Sequence, residues 1–416
     1  QELDMKQLEK TTGVRWHGVS GLLMASLALA APTLARAQVI EDSRMEIYGF
    51  AMLDMGHQFD ASNPDWNDVA RPTKLPSFDE EFGEDGNWFA GVKQSRLGVK
   101  TFTPTALGEL KTIFEFELFG TGADAGQTTF RLRHAWGEVG QFGAGQTWSP
   151  FMDPDVFPNS IEYWGPNGMV FFRNVQFRWT PWQDGGSNFM IALEDPGASG
   201  DQGSYSDRIE LDDIDARFPL PDLSMHYRMA RDWGHVQLGG IVRQIKWDDL
   251  NDEDAFDLDG EETGWGVNLS SNIKIDKHVA RLQVVYGEGI QNYMNDAPVD
   301  IGIKNNFSNP VTPLTGEALP LLGIVAFMDF NWSDKWTSSV GYSMIDIDNS
   351  DGQADDAFEK GEYALANVLY YPVPGVMMGP EIQWIKRENA RDGFTSEDFR
   401  VQFSVKYNFK AQIGGK

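Results

Sequence analysis

Asp398-Phe399-Arg400-Val401-Gln402-Phe403-Ser404-Val405-Lys406-Tyr407-Asn408-Phe409 alternates without a break between two chemistries. Phe399, Val401, Phe403, Val405, Tyr407 and Phe409 make one series; Asp398, Arg400, Gln402, Ser404, Lys406 and Asn408 make the other. A period of two means a β-strand with one apolar and one polar face. A soluble sheet produces the same pattern, with the apolar face turned to a protein core. The connections between such segments have to separate the two cases.

The same design recurs upstream. Gln94, Arg96, Gly98 and Lys100 oppose Ser95, Leu97 and Val99. Lys111, Glu115 and Glu117 oppose Leu110, Phe114, Phe116 and Leu118, and Thr129, Arg131 and Arg133 oppose Phe130, Leu132 and Trp136. Asn268, Ser270, Asn272 and Lys274 oppose Val267, Leu269, Ser271 and Ile273, and Arg281 and Gln283 oppose Leu282, Val284 and Tyr286. Segments near 236–247 and 321–332 alternate less cleanly. Short connections hold Pro104, Gly140, Asp232-Trp233-Gly234, Asp276-Lys277, Asp334-Lys335 and Pro372-Val373-Pro374-Gly375; long ones cover 60–87, 149–170, 195–221, 248–263, 291–320 and 348–361. A sandwich has no reason to sort loop length by rim, whereas outer-membrane barrels do. The pattern therefore predicts an all-β fold: a transmembrane antiparallel β-barrel of about sixteen strands with short periplasmic turns and long extracellular loops. Trp136, Trp182, Trp233, Trp336, Tyr371 and Phe409 fall near the short turns, where an interfacial girdle of aromatics is expected.

Composition bounds the rest. The chain has 43 Gly, 27 Phe, 14 Trp and 11 Tyr, which suits tight turns and aromatic girdles. It has no Cys, which excludes disulfides and thiolate chemistry, and its six His show no HExxH spacing. No metal, cofactor or catalytic residue is expected, and no G-x-S-x-G elbow is present, so the chain does not read as an enzyme. A net charge of −28 argues against nucleic acid as a partner. Before the first strand, Arg15 and His17 precede the apolar run 21–31, and Ala35-Arg36-Ala37 follows. These are the parts of a secretory signal peptide, so residues 1–37 are set apart from a barrel over 38–416.

The acids gather in the long loops, while the polar strand faces are locally basic. Under the barrel reading these faces look into the lumen, because Arg or Lys facing lipid at the bilayer midplane costs about 2–4 kcal/mol. The expected pore lining is Arg96, Lys100, Lys111, Glu115, Glu117, Arg131, Arg133, Gln146, Arg178, Arg281 and Arg400. Strand pairing estimated from the turns sets Arg96 and Arg133 across from Glu115, and Arg131 across from Glu117. The loop after the fifth strand follows the third outward hairpin, a position that folds inward as the constriction in general porins; its four prolines would hold it in a defined shape, with Asp153, Asp155 and Glu162 facing the basic wall and Tyr163 and Trp164 packing on it. Small anions are the expected solutes. The alternatives are a non-selective general porin or a sugar-selective one, the latter stacking sugar rings on Trp148, Tyr163 and Trp164.

Several stretches carry a family likeness: Tyr48-Gly49-Phe50, Arg71-Pro72-Thr73-Lys74-Leu75-Pro76-Ser77-Phe78, Gly126-Gln127-Thr128-Thr129-Phe130-Arg131-Leu132-Arg133-His134-Ala135, Gly143-Ala144-Gly145-Gln146, Ser149-Pro150-Phe151-Met152-Asp153 and Glu162-Tyr163-Trp164-Gly165-Pro166. Through them the chain resembles the DcaP-like outer-membrane porins. The resemblance implies a trimeric, sixteen-stranded Gram-negative outer-membrane channel for dicarboxylates and related small anions, set among outer-membrane lipid and lipopolysaccharide. Residues 410–416 run beyond the terminal Phe409, and 38–44 are too short for the coiled coil that some members carry, so a trimer would rest on the barrel walls.

Overall fold

The computed structural model describes residues 43–120, 129–251 and 255–414; the signal-peptide segment lies outside them. Sixteen antiparallel strands close on themselves. They are β1 (Arg44–Gln58), β2 (Asn87–Gly91, resumed at Arg96–Thr105), β3 (Gly108–Glu117), β4 (Arg131–Val139), β5 (Phe142–Trp148), β6 (Arg173–Asp184), β7 (Ser187–Glu194) and β8 (Asp222–Arg231). Then follow β9 (Gly234–Asp249), β10 (Gly260–Ile275), β11 (His278–Glu288), β12 (Pro320–Ser333), β13 (Trp336–Ile347), β14 (Phe358–Asn367 with Leu369–Tyr370), β15 (Val376–Asn389) and β16 (Thr395–Gly414). β16 closes the ring on β1, from Arg44↔Gly414 to Gln58↔Arg400. Closure leaves no open edge along the membrane, which is what lets strands cross hydrocarbon.

The turns explain the rims. Six of the connections on the periplasmic rim span two residues, as at Gly185-Gly186, where both glycines take positive φ (51° and 88°) and reverse the chain at once. The opposite rim holds the long loops, together with two connections that the sequence reading passed over, from β3 to β4 and from β15 to β16. A small sheet sits among these loops: Ile301–Asn305 pairs with Leu314–Ala318 and, in parallel, with Gly200–Asp201.

Burial separates the two faces of each strand. On β16, Phe399, Val401 and Phe403 are exposed while Asp398, Arg400, Gln402 and Ser404 are buried. Exposed apolar and buried polar side chains are the inverse of a soluble sheet and match a wall with lipid outside. The segments near 236–247 and 321–332 lose clean alternation for a local reason. Their inward side chains Ile241, Ile245, Leu321, Val325 and Phe327 are themselves apolar, and most of them pack under Phe151, Met152, Val156, Met169 and Val170 of the loop that folds inside. Trp182, Trp233, Trp336 and Phe409 are exposed, as an outer girdle requires. Trp136 and Tyr371 are not part of it. Trp136 is buried under the Arg178 guanidinium, and Tyr371 packs against the cluster of Met52, Ile161, Leu369 and Met377.

Candidate pore constriction

The loop 149–172 crosses the barrel interior because polar side chains of the opposite wall bind its backbone. Asn268 Nδ2 donates to the Phe151 carbonyl (2.8 Å) and Gln237 Nε2 to that of Met152 (3.0 Å). Further along, the Asp329 carboxylate accepts from Asn159 N, and Glu381 accepts from both Ile161 N (2.9 Å) and Glu162 N (3.1 Å). Gln402 Nε2 donates to the Ile161 carbonyl. These partners lie on β9, β10, β12, β15 and β16, so the loop is sewn to that side of the lumen. The approach is close: a Cβ on Gly168 would sit 1.9 Å from the Met344 carbonyl oxygen. The first loop joins it, for Ala70 and Leu75 share its apolar core, and Ala70 N donates to Glu162 (3.0 Å).

This changes the role expected for the loop acids. Asp153 does not face the basic strands. It is fully buried and accepts from His235 Nε2 (2.7 Å), Ser270 Oγ (2.7 Å) and Arg228 Nη1 (3.1 Å). Burial alone would raise its pKa, but the bond from His235, with help from Ser270 and Arg228, holds the carboxyl below its ordinary range. Glu162 is buried too and receives the amides of Ala70, Trp164 and Gly165; there burial prevails and pushes the carboxyl up. Asp155 is exposed but pairs with Arg228 on the same side. Asp153, Asp155 and His235 bring ligand atoms within 4.8 Å of one another, yet both Asp153 oxygens are already committed, so the group reads as an anchor rather than a metal centre.

Across the lumen lies the arc β1–β6. Here Arg96, Arg131 and Arg133 share two carboxylates. Arg133 donates to Glu115 (2.7 Å) and Glu117 (2.8 Å), Arg131 pairs with Glu117, and Arg96 lies 3.7 Å and 3.6 Å from the two acids. The ladder sets Arg96 opposite Glu117 rather than Glu115, and a bulge puts His134, not Arg133, opposite Glu115. Arg133 still reaches Glu115 because the extra residue turns both side chains inward. Tyr163 of the loop touches Glu117 and Arg131 and stacks on Phe119 at 3.8 Å. Trp164 instead covers Arg71, whose guanidinium lies 4.0 Å from its ring.

The remaining expected wall residues scatter. Lys100 lies over Tyr48 (4.7 Å), and Lys111 pairs with Glu138 near the periplasmic rim. Arg178 binds Gln176 and lies over Trp136, while Arg281 pairs with Asp329 beneath the loop. Arg400 is 1% exposed: it donates to the Asn67 carbonyl under the infolded first loop and does not reach open lumen. Gln146 pairs in register with Val175, bonds the Leu132 and Arg133 carbonyls and borders a cavity beside Arg131 and Tyr163. The sequence reading missed Arg173, which lies at a loop-to-strand boundary beside this cluster. The alternation of Asn174, Gln176 and Arg178 against Val175, Phe177 and Trp179 could have marked its strand.

A model of the DcaP outer membrane protein family matches residues 32–409. The chain belongs to that family. In the Gram-negative outer membrane, such a DcaP barrel is a channel-forming porin. The outer membrane channel DcaP of Acinetobacter baumannii is similar in structure, with TM-score 0.74 and 21% identity, over 88% of this chain and 98% of that one. The trimer form of OmpT of Vibrio cholerae (TM-score 0.54, 12% identity, 89% and 100% covered) and an anion-selective porin from Comamonas acidovorans (0.53, 10%, 88% and 100%) share the barrel architecture. No curated protein sequence matches the chain.

Proposed function

We propose that this porin is a diffusion channel favouring small anions, and that solutes pass along the β1–β6 arc. The observation that carries the reading is the fate of the loop carboxylates. Asp153 and Glu162 are consumed in fastening the loop, so they do not offset the guanidinium groups of Arg96, Arg131 and Arg133, which exceed Glu115 and Glu117. A narrow lumen with low-dielectric walls focuses that excess on a passing ion. Lys100, Lys111 and Arg178 continue the basic side toward the periplasm. Dicarboxylates are the solute class the family resemblance suggests.

The sugar reading fares worse, because stacking needs an open ring face. Trp148 carries Arg173 (4.8 Å) and Arg133 (5.6 Å), Tyr163 lies on Phe119, and Trp164 holds Arg71. A homotrimer embedded in lipid and lipopolysaccharide, made after removal of residues 1–37, fits the fold and the trimeric architecture known for the OmpT porin. Reversal potentials in a KCl gradient across a planar bilayer test the central claim. The wild type should pass chloride in preference to potassium, and Arg131→Ala with Arg133→Ala should bring the potential toward zero. A cation-selective wild type would sink the reading.

A further inference from the structure

Arg173 differs from every other arginine of the constriction in what holds it. Arg96, Arg131 and Arg133 are tied to Glu115 and Glu117. Arg178 is bonded to Gln176 and the Trp148 carbonyl. Among the described residues, no hydrogen bond or ion pair holds the Arg173 guanidinium, and its Nη1 is buried without a partner. The ring of Trp148, its cross-strand neighbour, lies 4.8 Å from Cζ and fixes the group in place.

Among the described residues no carboxylate forms an ion pair with this guanidinium. Arg173 borders a cavity of about 340 Å³ whose other polar walls are Arg131, Gln146, Tyr163, Asn292 and Asn295. Glu117, the carboxylate whose charge reaches Arg173, already serves three guanidiniums. A desolvated cation without a partner is costly, and free donors beside a second arginine leave room for one kind of guest. The neutral amides and the phenol add no charge that would repel an anion.

We propose that Arg173 is the specificity-determining residue of the pore: the cation on which a permeating anion docks, in the cavity it shares with Arg131. This rests on the anion-channel reading and adds to it a residue with a direct contact, as distinct from the diffuse field of the paired arginines. The distinction is measurable. A charge that acts through the field shifts selectivity and is screened by salt; a docking group sets the concentration at which current saturates.

The test is single-channel current against sulfate concentration in planar bilayers, with wild type, Arg173→Gln, Arg173→Lys and Arg96→Gln. Heat-modifiable migration on gels checks that each barrel is folded. Losing a charge-assisted contact should raise the half-saturating sulfate concentration about tenfold or more in Arg173→Gln. Arg173→Lys should recover part of it, and Arg96→Gln should change it less than about threefold, since that guanidinium is already engaged. Equal shifts in Arg173→Gln and Arg96→Gln, or no shift in Arg173→Gln, overturn the proposal. So does loss of oligomer in Arg173→Gln with saturation unchanged, which would place the residue in a subunit contact. A wild type that prefers potassium in a KCl gradient would fail the anion reading itself, whereas an anion-selective wild type with an unaltered Arg173→Gln fails only this assignment.

Discussion

Replacing Glu381 by alanine should loosen the constriction loop while leaving the barrel intact. Glu381 is 1% exposed on β15 and accepts four hydrogen bonds: Ile161 N at 2.9 Å, Glu162 N at 3.1 Å, Asn367 Nδ2 at 2.9 Å and Gln383 Nε2 at 2.9 Å. Two of the donors belong to the loop backbone and cannot turn toward another acceptor, because Ile161 is buried in its own apolar cluster. Each buried donor left unmade costs about 1–3 kcal/mol, so the seated loop loses about 2–6 kcal/mol relative to a displaced one. That is comparable to the margin separating a fixed segment from a fluctuating one. Glu381→Gln retains one carbonyl acceptor but sets its amide against one loop N–H and one side-chain amide (Asn367 or Gln383), so its effect should be smaller and in the same direction. Single-channel recording supplies the assay. Glu381→Ala should show excess open-channel noise and added conductance substates, with heat-modifiable gel migration like the wild type. A quiet trace with wild-type conductance from a folded Glu381→Ala barrel would refute the claim that this carboxylate seats the loop.

Three other outcomes follow from the same geometry. Leu269→Arg, at an exposed apolar position of β10, should reduce barrel stability in lipid by about 2–4 kcal/mol if it lies near the midplane, read by urea unfolding into vesicles. Gly168→Ala should destabilise by about 1–3 kcal/mol, since its Cβ meets backbone at Met344 and Ile324, whereas Gly137→Ala, with open space around it, should not; unfolding temperature by heat-modifiability separates them. Asp153 titrates below its ordinary range, so its contribution is present above the unfolded value of about 3.9 and is lost only as pH falls further; the excess open-channel noise of Asp153→Asn over the wild type should therefore hold from neutral pH to about pH 4 and shrink below it.

The faces of the strands were legible in the chain because a period of two is local: each residue's side follows from its neighbours. Arg96, Glu115, Glu117, Arg131 and Arg133 were read as one charged group, and they do meet, even though the Arg96 register was off by two and β4 holds a bulge. A two-residue slip keeps every side chain on its face, so the ion pairs survive it. Arg400 shows the limit. Its face was read correctly, but whether it meets water depends on the first loop, 333 residues away in sequence at Asn67.

Strand period, rim sorting and turn chemistry were thus fixed by residues near one another in the chain, and from them came the barrel and its lipid side. What awaited the tertiary structure was the use of each charge. Asp153, Asp155 and Glu162 look alike in sequence to acids that face a pore, yet all three serve the loop's own attachment, two of them in full burial. Arg173 looks like any arginine beside two phenylalanines, yet among the described residues no ion pair or hydrogen bond holds its guanidinium. Whether a charge is spent or free is a matter of distances between strands far apart in the chain, and local pattern carries no information about those distances.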